Sequence, residues 1–131
     1  MAIKLELRDE STLGDSRPAP PIELPEAQTT VRDLIAARVC DEVARHNRKP
    51  AEIFEGLVQP EDSERVLNGF RLRARKSIDP DQQCLSALNG FKNRAFVVLI
   101  DDRQAESLDE EVLLKPGSTA TFLRLVPLIG G

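Results

Sequence analysis

Gly130 and Gly131 close this sequence, behind a run of strand-forming residues that ends at Pro127. With no Cβ on either residue, such an end presents an α-carboxylate with the least bulk and the most backbone freedom. A tail of this kind can thread a narrow channel and bring its carboxylate against a nucleotide phosphate. If that carboxylate is the reactive group, the chain is a substrate carried through chemistry that other enzymes perform. The plain alternative for the same dipeptide is a frayed and inert terminus.

The remaining candidates for chemistry are few. His46 is the one histidine, which excludes multi-histidine metal sites and leaves no Ser-His-Asp set. It falls at the expected end of a helix, where a cation complements the helix dipole. Cys40 and Cys84 show neither a CxxC nor a metal-ligand spacing, so both thiols are expected to be reduced, in the cytoplasm. The chain is therefore expected to have no catalytic residue, no metal and no cofactor of its own, and not to be an enzyme. A net charge of −4 and a pI near 5.1 give no reason to expect a nucleic-acid partner. Arg71, Arg73, Arg75 and Lys76 form a basic cluster that reads as a solvated face. No apolar run approaches the roughly 20 residues of a membrane helix, and the amino end lacks a leader's apolar stretch.

These residues need a scaffold, and 131 residues, 40% hydrophobic and 31% charged, suffice for one α+β domain. Residues 3–8 alternate as a half-buried strand, with Ile3, Leu5 and Leu7 inward. Residues 9–21 hold Gly14, Pro18, Pro20 and Pro21 and read as a long mobile loop, before a short strand over residues 22–24. Thr30 and Asp33 have the spacing of a capping box, and Val31, Leu34, Ile35, Val39 and Val43 form a helical stripe ending near Asn47. Cys40 beside that stripe reads as a small core residue.

Residues 51–58 and 60–68 read as two short helices, and residues 80–91 as a third, opened by Asp79-Pro80. The run from Phe96 to Ile100 suits a strand buried on both faces. Lys115-Pro116-Gly117-Ser118 has the chemistry of a type II turn. The last strand follows it from Thr119 to Val126, with Phe122 and Val126 facing the helix stripe. Leu123 and Leu125 then lie on the more exposed face.

The order strand, loop, strand, helix, insert, strand, turn, strand, Gly-Gly resembles the β-grasp fold of ubiquitin-like proteins. The residues that carry the resemblance are Leu114-Lys115-Pro116-Gly117-Ser118, the strand after them and Pro127-Leu128-Ile129-Gly130-Gly131. They are similar to the carboxyl end of bacterial sulfur carriers of molybdopterin and thiamine synthesis. Phe122-Leu123-Arg124-Leu125 has the strand exit of ubiquitin itself. The resemblance covers residues 1–47 and 94–131. It implies a mixed sheet wrapped on one helix, with the first and last strands parallel at its centre. A helical insert at about residues 48–93 and a flexible tail over 127–131 complete the expected domain.

The long insert and long first loop suit bacterial ubiquitin-like modifiers better than compact sulfur carriers. The resemblance then implies that an activating enzyme binds the sheet face and adenylates the Gly131 carboxylate with ATP, Gly130 giving passage to the tail. A conjugating enzyme and a deconjugating metalloprotease are the further partners it implies. Leu123, Leu125, Leu128 and Ile129 are the expected partner-binding residues. The alternative it leaves open is a carrier whose tail becomes a thiocarboxylate. A third reading is an interaction module with an inert tail. With only five lysines in the chain, Ser11, Thr12 and Ser16 in the first loop are candidate acceptors if the protein modifies itself.

Overall fold

The computed structural model describes residues 2–126. Along the chain come β1 (Ile3–Ser11), β2 (Ser16–Leu24), β3 (Gln28–Thr30) and α1 (Val31–Arg48). Next are β4 (Ile53–Phe54), β5 (Ser63–Val66), β6 (Gly69–Leu72) and α2 (Pro80–Lys92). They are followed by β7 (Phe96–Ile100), β8 (Arg103–Gln104), β9 (Glu111–Leu113) and β10 (Thr119–Arg124). The protein is mixed α+β, and it divides into two compact units: residues 1–34 with 90–131, and residues 35–89.

The first unit is built on a five-stranded mixed sheet in the order β2-β1-β10-β7-β8. β1 and β10 run parallel at its middle, paired from Glu6↔Thr119 to Ser11↔Arg124. β2 and β7 flank them antiparallel. Apolar residues on alternate positions put one sheet face inward: Leu5 and Leu7 of β1, Ala120 and Phe122 of β10, and Phe96, Val98 and Ile100 of β7 are buried. Val97 and Leu99 are half-buried, so β7 is not the strand covered on both faces that its apolar run predicts. Asp101 and Asp102 both adopt positive φ, 49° and 69°, in the two-residue turn to β8, a conformation that Asp tolerates.

Residues 9–21 are not a mobile loop. β1 continues to Ser11 and β2 begins at Ser16, joined by a tight turn. The prolines are accommodated because β2 is an edge strand, where an absent N–H costs no ladder bond. Pro20 and Pro21 also stand together opposite Glu6, where the register slips by one residue between Leu5 and Leu7. A short sheet that the sequence did not suggest, β3 with β9, leads into α1. Thr30 caps that helix by accepting from the Asp33 amide at 3.2 Å. The amides of Val31 and Arg32 find Glu110 and Leu108 carbonyls at 3.1 and 2.9 Å.

The second unit is not a helical insert. Residues 53–72 form a three-stranded antiparallel sheet, β4-β6-β5, and α2 is the one helix of the three expected there. α2 opens as its sequence indicates, with the Asp79 carboxylate accepting from the Asp81 amide at 3.0 Å. It closes with paired bonds, Ala95 N to Gly90 O and Arg94 N to Phe91 O, and Arg94 takes φ +60° at a position glycine usually fills.

The stripe Ile35, Val39 and Val43 is buried, and so are Arg38, Glu42 and His46 at four-residue spacing along α1. Arg38 Nε donates to Glu42 Oε1 at 2.6 Å, and Glu42 Oε2 accepts the Leu57 amide at 2.8 Å. Cys40, expected in the core, is exposed. Among the described residues no helix is long and apolar enough to cross a membrane.

Candidate functional site

β10 is the strand that leads to the tail, and its two ends are held by different devices. At its start, Lys115 to Ser118 make the expected type II turn, with Gly117 at φ +88° and the Ser118 amide on the Lys115 carbonyl at 2.9 Å. Ser118 Oγ is buried; it accepts the Lys115 amide at 2.9 Å and donates to Asp101 Oδ2 at 2.8 Å. The other oxygen of Asp101 accepts the Thr119 amide at 3.0 Å. One carboxylate thus fixes where the strand begins.

At its far end β10 is clasped by the turn between β1 and β2. The Thr12 amide donates to the Arg124 carbonyl at 3.0 Å, and Thr12 Oγ1 accepts the Val126 amide at 2.9 Å. The same hydroxyl lies 3.4 Å from the Val126 carbonyl. On the other side the Leu125 amide reaches the Ala95 carbonyl at 3.0 Å. The clasping turn is itself ordered by Gly14 at φ +101° and by Ser11, whose hydroxyl donates to the Asp15 carboxylate. That bond holds the Asp15 carboxyl below its ordinary range, helped by the nearby Arg124 and Arg17 guanidinium groups.

Of the residues expected to meet a partner, Leu123 and Leu125 are half-buried rather than exposed. Val126, expected in the core with Phe122, is half-buried too, while Phe122 is 2% exposed. Leu128, Ile129, Gly130 and Gly131 lie outside the described residues. The three hydroxyls considered as acceptors are not on a mobile loop. Ser11 is buried and engaged with Asp15, Thr12 is engaged with Val126, and Ser16 is the first residue of β2. The sequence reading missed Asp15, and named Thr12 as an acceptor without foreseeing its clasp on β10. The signal was Gly14 between two alternating segments, the mark of a hairpin, obscured by the prolines that follow.

Elsewhere the chain offers little chemistry. His46 is buried at the end of α1, its Nε2 2.8 Å from the Lys76 carbonyl and its ring edge-on to Phe54 at 5.4 Å. It therefore serves the interior of its unit rather than an exposed helix end. Burial pushes the Cys84 thiol up, with Cys40 and Asp81 adding to the effect, which disfavours the thiolate a nucleophile needs. Among the described residues no group of three or more His, Cys, Asp or Glu side chains is placed to hold a metal ion. The arrangement as a whole carries β10 along the middle of the sheet and fixes the backbone just beyond it, at Leu125 and Val126. No protein-family model, curated protein or solved structure matches the chain.

Proposed function

We propose that this protein is a ubiquitin-like modifier of the β-grasp type, whose reactive group is the Gly131 carboxylate when that residue ends the chain. The observation that carries this reading is the sheet order β2-β1-β10-β7-β8, with the first and last strands parallel and adjacent at its middle. A helix following the first hairpin, and Gly130-Gly131 standing in the sequence a few residues after the last strand, fit the same reading.

An activating enzyme would supply ATP and the catalytic groups. One carboxylate oxygen of Gly131 attacks the α-phosphate, pyrophosphate leaves, and the acyl-adenylate so formed is open to a nucleophile that expels AMP. Passage through an enzyme thiol splits one hard acyl transfer into easier steps before an acceptor amine or hydroxyl takes the acyl group. Leu123, Leu125, Leu128 and Ile129 are the proposed contacts for the partner, and Gly130 allows the tail through a channel with no room for a side chain. The same adenylate with a sulfur donor would give a thiocarboxylate. The separate unit over residues 35–89 favours the modifier, since a sulfur carrier works as a compact domain.

The reading is tested by ATP–pyrophosphate exchange with a candidate activating enzyme sought among the neighbouring genes. The full chain is expected to support exchange, and a chain lacking Gly131, or carrying Gly130→Leu, is expected to give none. Exchange at the normal rate without Gly131 would refute it.

A further inference from the structure

In the second unit, residues 65–78 contain five of the chain's 18 basic residues and none of its 22 acidic ones. Arg71, Arg73, Arg75 and Lys76 are all exposed. Arg71 is paired with Glu64 at 3.2 Å, but among the described residues Arg73, Arg75 and Lys76 meet no carboxylate. Lys76 also borders a cavity of about 200 Å³ shared with Glu61, Asp62 and Asp79, which leaves Arg73 and Arg75 as the freest charges. A run of charges is ordinarily a solvated face, and that explanation suffices where the backbone beneath it is loose.

Here the backbone is pinned. His46 Nε2 lies 2.8 Å from the Lys76 carbonyl. Asn47 clamps Ile78 from both sides, its Oδ1 accepting the Ile78 amide at 2.8 Å and its Nδ2 donating to the Ile78 carbonyl at 2.9 Å. The Ile78 side chain is buried beneath. Two side chains at the end of α1 thus hold the main chain at Lys76 and Ile78. Leu72 at the end of β6 is buried and donates its amide to the Glu52 carbonyl at 2.7 Å. The stretch between is therefore fixed at both ends and leaves its cationic side chains to solvent. Arg48 and Lys49, which follow those anchors directly, are exposed too and add charge at the same end of the helix. Cations fixed in advance lose less entropy on pairing than cations on a free loop.

We propose that this pinned basic segment is a docking surface for an acidic segment of a partner protein. Charge complementarity names the partner's chemistry: a short run of Asp and Glu side chains suits a patch a few residues wide on an otherwise acidic protein. A nucleic acid suits it less. Phe54 and Phe70 of the same unit are buried, so there is no exposed aromatic platform for bases, and the acidic remainder of the chain repels a long polyanion. The surface is used with or without activation of Gly131, so it stands or falls separately from the function proposed above.

The test is fluorescence anisotropy with a fluorescein-labelled Asp/Glu-rich peptide and the full chain, at low and at raised salt. Binding is expected to weaken with salt, and Arg73→Glu/Arg75→Glu to weaken it about tenfold or more. Lys92→Glu/Lys115→Glu, the same charge change in the first unit, is expected to alter it less than about twofold. Asn47→Ala, which frees the segment but keeps every cation, should weaken binding several-fold. Melting curves check that each variant is folded, with Arg73→Gln/Arg75→Gln in reserve. The proposal is overturned if both charge reversals weaken binding equally. It is overturned as well if a single-stranded oligonucleotide, or vesicles of phosphatidylserine and phosphatidylcholine, displace the peptide at lower concentration than unlabelled peptide does.

Discussion

Phe122 links the core of the first unit to the exit of its last strand: its ring lies 6.0 Å from Phe96, which in turn lies 6.2 Å from Phe91. A residue this enclosed leaves a large hole when truncated, so Phe122→Ala is expected to cost about 3–5 kcal/mol in urea unfolding. A loss below about 1 kcal/mol would mean that the strand register assigned here is wrong. Asp15 makes a subtler prediction. Its carboxyl is held below the ordinary value by Ser11 first and by Arg124 and Arg17 after. The folded protein therefore binds this proton less readily than the unfolded chain. The stabilisation is present above the unfolded value of about 4 and is lost as the pH falls through the lower folded value. Asp15→Asn should accordingly narrow its stability gap to the wild type as the medium is acidified from neutrality. A gap that widens in acid would contradict the role given to Ser11.

Among the elements, those with a local chemical signature were legible in the sequence and those that depend on neighbours were not. The type II turn at Lys115 to Ser118, the Thr30 cap and the Asp79-Pro80 start of α2 each rest on a side chain and a backbone bond within a few residues. β2 was missed because whether a proline is tolerated depends on being at a sheet edge, which no window of sequence reveals. The β5–β6 hairpin was missed although Asn68-Gly69 stands between Val66 and Phe70, because residues 60–68 read as a short helix instead. In the fold Val66 pairs with Gly69 across the turn, and Leu67 is fully exposed at its tip. Gly69 takes φ +148°, and a Cβ there would stand 2.6 Å from the Phe54 carbonyl oxygen. Gly69→Ala should therefore lower stability by more than the roughly 1 kcal/mol of an ordinary glycine effect, because backbone must move. Unfolding as stable as wild type would show that β4 does not approach β6 as described.

At the scale of the whole molecule, the two proposals fall on different compact units. The first sends its last strand up the middle of a mixed sheet and holds the exit with Thr12; the second presents charge on a pinned segment. The parallel pairing of first and last strands was expected from the resemblance to the β-grasp fold and not from alternation itself, which marks each strand without saying which neighbour it takes; β1 and β10 do pair in parallel. Whether the tail reacts was not legible in the same way, since two glycines without side chains carry no physical preference for any partner. The central claim is chemical, and mass spectrometry of the protein recovered from its own cells under conjugating conditions tests it most directly. The account predicts acceptor peptides joined through the Gly131 carbonyl by an amide or ester, the pair lighter by one water than its parts. Recovery of the protein exclusively with a free Gly131 carboxylate, or with sulfur in place of one terminal oxygen and no conjugate, would contradict it.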